Sequence, residues 1–135
     1  MSEENNILIQ EYSKNPINNF QMQDFTIKQH EGNFICWDDI NVYLKIENDI
    51  VKDYSFDWNC STITSASASL LAELIIWKNI NEILSRWYTF LNQNWLEVSK
   101  KRKRAAVIAL LACRNAIHTY LNEEERDSFD DLIDS

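Results

Sequence analysis

In this chain of 135 residues the spacing of apolar residues changes from a period of two to a helical period close to Ile63. Before that point, residues 25–28, 40–46 and 50–56 alternate apolar and polar side chains and are rich in β-branched and aromatic types. Alternation with period two is typical of strands that bury one face. Residues 47–49 lie between the last two segments, and their Asn and Asp tolerate the backbone conformations of a hairpin turn. The first half of the chain therefore predicts a small antiparallel sheet.

The second half of the chain has the three- and four-residue apolar spacing of helices. Residues 80–84 suggest a short helix, and residues 87–91 are a further short apolar segment. Residues 105–121, apolar on nearly all sides, predict a long buried helix. Residues 7–12 form a further short helix that ends before Pro16, because the residue before proline avoids helical backbone. One face of the first helix after the sheet is apolar: Ala66, Leu70, Leu71, Leu74 and Ile75. This order predicts an α+β fold with an N-terminal helix, a three-stranded antiparallel sheet and several helices packed on one face.

Composition narrows the class of protein further. A chain of this length suits one domain with a single core. The longest apolar runs, residues 105–113 and residues 70–76 with Glu73 among them, are too short to span a bilayer. The acidic N-terminus lacks the features of a signal peptide. Three cysteines without a secretion signal suggest free thiols in a reducing compartment. We therefore expect a cytoplasmic protein with no membrane partner.

Charge is distributed unevenly along the chain. Residues 122–135 contribute −6 of the net charge of −8, and we expect them to be a solvated end. Residues 100–104 are five consecutive cations, yet the remaining surface is acidic and no aromatic residues are interleaved with them. A protein contact or a solvated helix start explains this basic run better than nucleic-acid binding does.

Four segments occur in the order and spacing of a known family of domains. Residues 7–18 resemble its opening helix, and residues 36–44, which begin Cys-Trp-Asp, resemble its first ligand loop and strand. Residues 55–69 resemble its second ligand loop and an Ala-Ser-Ala-Ser helix, and residues 77–82 resemble its Gly-Lys-hydrophobic-x-Glu segment. The chain thus resembles the U-type iron–sulfur cluster assembly scaffolds, the NifU/IscU/SufU family, and is most similar to the SufU/NifU branch. The resemblance implies a SufE/NifU-like scaffold domain at residues 1–121 and an acidic C-terminal tail at residues 122–135.

The resemblance also implies a site of three cysteines and one aspartate that holds zinc, iron or a nascent [2Fe–2S] cluster. Its partners would be a cysteine desulfurase of the SufS/IscS/NifS type, which supplies sulfur, and apo-proteins that accept the cluster. Soft thiolates suit zinc and Fe–S centres, and the harder aspartate favours later release of the cluster. Such a domain is a carrier rather than an enzyme.

Carried over residue by residue, the family's ligand set is incomplete in this chain. Cys36 and Asp38 fall on the first cysteine and the aspartate. A gapless alignment places Ser61 on the second cysteine, although a one-residue slip would bring Cys60 into the site. Ala105 stands at the third cysteine. The resemblance therefore implies Cys36, Asp38 and Cys60 as the residues that face a metal ion or cluster, fewer than the four ligands of structural zinc.

The remaining candidate residues have simpler interpretations. Cys113 lies eight residues after Ala105, about 12 Å further along a helix, and is best interpreted as a buried structural cysteine. His30 and His118 are lone histidines, which more often belong to a surface or a core than to a metal site. An unrelated enzyme with Cys36 as nucleophile ranks last, because no recognisable motif places a histidine to activate the thiol.

Glycine and tryptophan have unusual counts, one glycine and five tryptophans. Trp37, Trp58 and Trp77 occupy positions where the family carries glycine. One hypothesis is that the gene comes from a lineage that translates UGA as glycine, and that these codons were translated as tryptophan with a different genetic code. UGG codons at these three positions would exclude this hypothesis, because UGG encodes tryptophan. The alternative is a tryptophan-rich variant whose ligand loops have repacked.

Two functions therefore stay open at the level of sequence. The first is an iron–sulfur assembly scaffold or sulfur acceptor that binds metal or a cluster. The second is a metal-free paralogue that binds a desulfurase or another assembly protein through the same surface. Metal analysis of the purified protein separates them.

Overall fold

The computed structural model describes residues 3–33, 38–59 and 61–133, without the side chains of residues 33, 58 and 59. Helix α1 precedes three strands, and the remaining helices follow. The elements are α1 (Glu3–Lys14), β1 (Ile27–Asn33), β2 (Asp38–Glu47), β3 (Ile50–Asn59), α2 (Thr62–Ile75), α3 (Ile80–Leu84), α4 (Tyr88–Gln93), a 3₁₀ turn (Lys100–Arg102), α5 (Lys103–Tyr120) and α6 (Phe129–Ile133). This order confirms the predicted α+β architecture.

The three strands form one antiparallel sheet in the order β1-β2-β3. Asn48 and Asp49 connect β2 to β3 with φ angles of 54° and 60°. Positive φ at both central residues is the pattern of the tight turn that matches the twist of a hairpin. The predicted turn is therefore confirmed. Strand β1 extends through polar residues to Asn33, beyond the predicted segment 25–28, because its backbone pairs with β2 along that length.

The core lies between the sheet and two long helices. Ile40, Val42 and Leu44 alternate along β2 and are fully buried on the face that α5 covers. Helix α5 contacts β1, β2 and α2, and its residues 106–110 have no exposed surface. The prediction of a long buried helix is confirmed, since a helix that is apolar on all sides needs neighbours all round. Within the described residues, every helix is too short or too polar to cross a membrane.

The C-terminal segment packs against the domain, contrary to the solvated end that its charge suggested. Leu132 of α6 is fully buried, and the Asp127 carboxylate accepts hydrogen bonds at 2.8 and 3.2 Å from the Arg114 guanidinium. The expectation of a solvated end is wrong for these residues, because an ion pair and an apolar contact with α5 outweigh the repulsion among the acids. The division after residue 121 stays a prediction.

Candidate metal and cluster site

Asp38 and Ser61 meet where the sheet ends and α2 begins. Asp38 is the first residue of β2, and pairing of Asp39 with Asn59 brings the end of β3 beside it. Ser61 follows as the N-cap of α2, and its side chain accepts a hydrogen bond from the Thr64 amide. Serine is a favoured N-cap because its oxygen satisfies a free amide of the first helical turn. The strand pairing and the cap together fix the position of Asp38 relative to α2.

The Asp38 carboxylate is buried and already has hydrogen-bond donors on both oxygens. The Ser61 amide donates to Oδ1 at 2.6 Å, and the hydroxyls of Ser61 and Thr64 lie 3.2 and 2.8 Å from Oδ2. The N-terminus of a helix also favours a negative charge through the alignment of its peptide dipoles. These contacts explain how a carboxylate with only 4% exposed surface is tolerated at this position.

Ala105, in the first turn of α5, faces the same region. The Thr64 hydroxyl lies 3.2 Å from the Ala105 carbonyl oxygen, so Thr64 connects the start of α5 to Asp38. A cavity of about 430 Å³ opens here, lined by Ser61, Thr62, Ile63, Lys101, Arg102 and Ala105. The structure thus brings together Asp38 and the residues at the family's second and third cysteine positions, beside two cations.

The described part of this site fits a metal ion poorly. It contributes one carboxylate that is already hydrogen-bonded, the Ser61 hydroxyl and the Ala105 methyl group. Within the described ranges, no three His, Cys, Asp or Glu side chains converge as a metal-binding group. The predicted ligands Cys36 and Cys60 lie outside the described residues.

The other candidates lie away from this cavity. His30 pairs with Asp39 at the surface, and His118 is buried between the carboxylates of Glu123 and Asp127, at 2.8 and 3.1 Å. Burial raises the pKa of the Cys113 thiol far above its usual range, as expected for a structural cysteine. Sequence reasoning missed Thr64, because its contact with Asp38 joins residues 26 positions apart and has no local sequence signal.

Comparison with known families decides the classification. The NifU-like N-terminal domain family matches residues 4–127 of the chain. The chain belongs to this family. The resemblance seen in the sequence is thereby confirmed.

Similar proteins and structures agree with this membership. The iron–sulfur cluster assembly scaffold protein IscU of Thermotoga maritima is 40% identical over 65 residues, which are 48% of this chain and 46% of that protein. The zinc-dependent sulfurtransferase SufU of Bacillus subtilis is 35% identical over 78 residues, 58% of this chain and 52% of that protein. The chain spans about half the length of these curated relatives.

Two crystal structures share the fold at lower sequence identity. A NifU-like N-terminal protein from Brucella abortus superposes with a TM-score of 0.74 at 19% identity, covering 85% of this chain and 92% of that one. The SufU scaffold protein of Fervidobacterium islandicum gives a TM-score of 0.73 at 19% identity, covering 87% and 96%. At this identity the likeness supports the fold alone.

Proposed function

We propose that the chain serves iron–sulfur cluster assembly as a scaffold or sulfur-acceptor domain, with Cys36, Asp38 and Cys60 facing the metal ion or nascent [2Fe–2S] cluster. The observation that carries the proposal is a cavity lined by Ser61 and Ala105, with the Asp38 carboxylate bonded to Ser61. Family membership and the names of the IscU and SufU relatives support it. In this role the chain carries a cluster or sulfur and does not turn over a substrate as an enzyme.

The chemistry of the proposal depends on thiolates. Cys36 precedes Asp38 by two residues and Cys60 precedes Ser61 by one, so covalent geometry limits how far either thiol can lie from the Asp38 carboxylate. Thiolates are the preferred ligands of zinc and of iron–sulfur clusters. Lys101 and Arg102 line the cavity, and cations next to a thiol lower its pKa and favour the reactive thiolate. The reducing cytoplasm, where thiols persist, is the proposed location.

The proposed partners follow from the same role. A cysteine desulfurase of the SufS/IscS/NifS type would supply sulfur to the thiols, and apo-proteins would accept the finished cluster. Lys101 and Arg102 are exposed at the mouth of the cavity, where they would attract an acidic surface of a partner.

A metal-free paralogue that binds a desulfurase or another assembly factor is the second candidate. It is favoured by the hydrogen bonds that both oxygens of the Asp38 carboxylate already accept, from the Ser61 amide on Oδ1 and from the Ser61 and Thr64 hydroxyls on Oδ2. It is also favoured by Ala105, whose methyl group offers no ligand atom. In this alternative the cavity is a contact surface rather than a metal site.

Metal analysis of the purified full chain separates the two functions. We expect zinc or iron near one equivalent, measured by mass spectrometry of the elements, and its loss in Cys36→Ser and Cys60→Ser. Cys113→Ala is the matched control and should keep its metal, because Cys113 is fully buried in α5. Circular dichroism checks that each variant is folded.

Three outcomes have distinct meanings. Metal lost with Cys36 or Cys60 supports the scaffold. Absence of metal in a folded protein that still binds a desulfurase in a pull-down with purified components supports the paralogue. A folded chain that binds neither contradicts both functions.

A further inference from the structure

Backbone conformation singles out two of the five tryptophans. Among the described residues, six that are not glycine have positive φ. Four of them are Asn or Asp, which tolerate this region through local hydrogen bonds. The other two are Trp77 at 75° and Trp95 at 80°. Positive φ brings Cβ close to the following carbonyl oxygen, so a bulky residue is a true exception there.

Trp77 occupies the turn position that most strongly requires glycine. Ile76 has φ −64° and ψ 132°, Trp77 has φ 75°, and the Lys78 amide donates to the Ile75 carbonyl at 3.0 Å. These values define a type II turn with Trp77 at its third position, where positive φ selects glycine. The turn is held to β3 on both sides, since the Trp77 amide donates to the Val51 carbonyl at 2.6 Å and the Lys78 carbonyl accepts from the Val51 amide at 2.9 Å.

The indole of Trp77 gains little burial in return for this conformation. Trp77 is 67% exposed, and the Lys52 ammonium group lies 4.7 Å from the centre of its ring. An exposed cation–π contact contributes roughly 0.5–1 kcal/mol. An exposed tryptophan in a conformation suited to glycine therefore has no evident structural role.

Trp95 occupies a different motif that also favours glycine. It follows Asn94, the C-cap of α4, and the Leu96 amide donates to the Leu91 carbonyl at 3.1 Å. Leu91 and Leu96 are both fully buried. This bond and this apolar pair are the marks of a Schellman helix end, in which the residue at the position of Trp95 is left-handed and is usually glycine. The Trp95 ring does pack, with its centre 5.1 Å from that of Tyr12.

Two unrelated motifs thus require the same residue, in a chain whose sequence contains one glycine. We propose that positions 77 and 95 are glycine in the polypeptide made by the cell of origin, where their codon is UGA and is translated as glycine. Backbone geometry alone selects these two positions. Trp95 was not among the tryptophans that the sequence comparison singled out.

The proposal has a consequence for the candidate site that rests on the proposed function. A UGA codon at position 37 would place glycine between Cys36 and Asp38. Glycine leaves more room for a ligand beside the backbone than an indole does. Peptide masses show whether glycine or tryptophan is present, whether or not the protein binds metal. A protein without metal would contradict the proposed function, whereas tryptophan masses at positions 77 and 95 would contradict the present proposal.

The decisive experiment sequences the gene and measures peptide masses of the native protein. We expect UGA at codons 77 and 95, and peptides from protein isolated from the source cells should have the masses for glycine at both positions. A UGG codon, or a tryptophan mass, at either position overturns the proposal for that position.

Stability of purified variants tests the structural premise. Trp77→Gly should raise the ratio of folded to unfolded protein about 2- to 10-fold in urea titrations, because relief of the left-handed backbone exceeds the entropy cost of glycine. Trp95→Gly should gain less, because it also loses the contact with Tyr12. Trp87→Gly is the matched control and should lower the ratio, since Trp87 has φ −147° and packs against the core. A lower ratio for Trp77→Gly would overturn the argument from strain.

Discussion

Replacement of Asp38 by alanine tests whether this carboxylate anchors helix α2. The change removes the acceptor for the Ser61 amide and for the Ser61 and Thr64 hydroxyls, at 2.6, 3.2 and 2.8 Å. A hydrogen bond to a charged group contributes roughly 1.5–3 kcal/mol, and a charge near a helix N-terminus about 0.3–1 kcal/mol. Ser61 is exposed, so water can replace part of the loss at its amide and hydroxyl. We therefore expect Asp38→Ala to lower the free energy of unfolding by about 3 kcal/mol.

The measurement is urea unfolding followed by circular dichroism, with the slope of the transition compared among variants. A double-mutant cycle with Thr64→Val isolates the contact between the two side chains, with an expected coupling of about 1–2 kcal/mol. Asp39→Ala is the matched control, because the neighbouring carboxylate is 57% exposed and a surface ion pair contributes at most about 1 kcal/mol. A loss below about 1 kcal/mol for Asp38→Ala, with an unchanged slope, would refute the anchoring role and leave Asp38 as a carboxylate available to a metal.

Two further predictions concern the C-terminal half. Arg114→Met should cost about 3 kcal/mol and expose the amides of α6 to hydrogen exchange, because it leaves the buried Asp127 carboxylate without its bidentate partner. Arg126→Met serves as the exposed control, and equal exchange in the two variants would contradict a docked C-terminal segment. Cys113 should resist alkylation in the native protein at pH 8 and react once urea unfolds it, because burial raises the pKa of its thiol. Peptide mapping measures this, and native alkylation of Cys113 at the rate of the unfolded chain would contradict its burial.

The sequence predicted the elements whose local pattern agrees with their final surroundings. Helix α5 is apolar nearly all round from Ala105 onward and is buried nearly all round, and the Asn48–Asp49 turn has residues suited to its backbone. The polar half of β1 was missed, because it is a strand through its pairing with β2 rather than through any alternation of its own. Helix α6 was missed because a short acidic segment has no helical pattern of its own. It is stabilised by tertiary packing, in which Leu132 is buried and α6 contacts α5.

Some features of the candidate site were likewise predicted from the sequence, and others were not. Sequence comparison assigned Asp38, Ser61 and Ala105 to the family's ligand positions. In the structure Ser61 and Ala105 line one cavity, and Asp38 is hydrogen-bonded to Ser61. The role of Cys36, Asp38 and Cys60 as ligands stays a prediction. The three hydrogen bonds on the Asp38 carboxylate were not predicted, since they depend on the distance between two elements that are far apart in sequence.

The sequence by itself determined the family, the order of strands and helices, and the incomplete set of cysteines. Each of these depends only on which residue types occur and on their spacing along the chain. Tertiary structure decided what the remaining side chains do. Packing of α2 against the end of the sheet makes Asp38 a hydrogen-bonded anchor, and the backbone of two separate turns gives Trp77 and Trp95 conformations that suit glycine. Such properties arise from distances and dihedral angles that form only when the chain has folded, so residue spacing alone does not contain them.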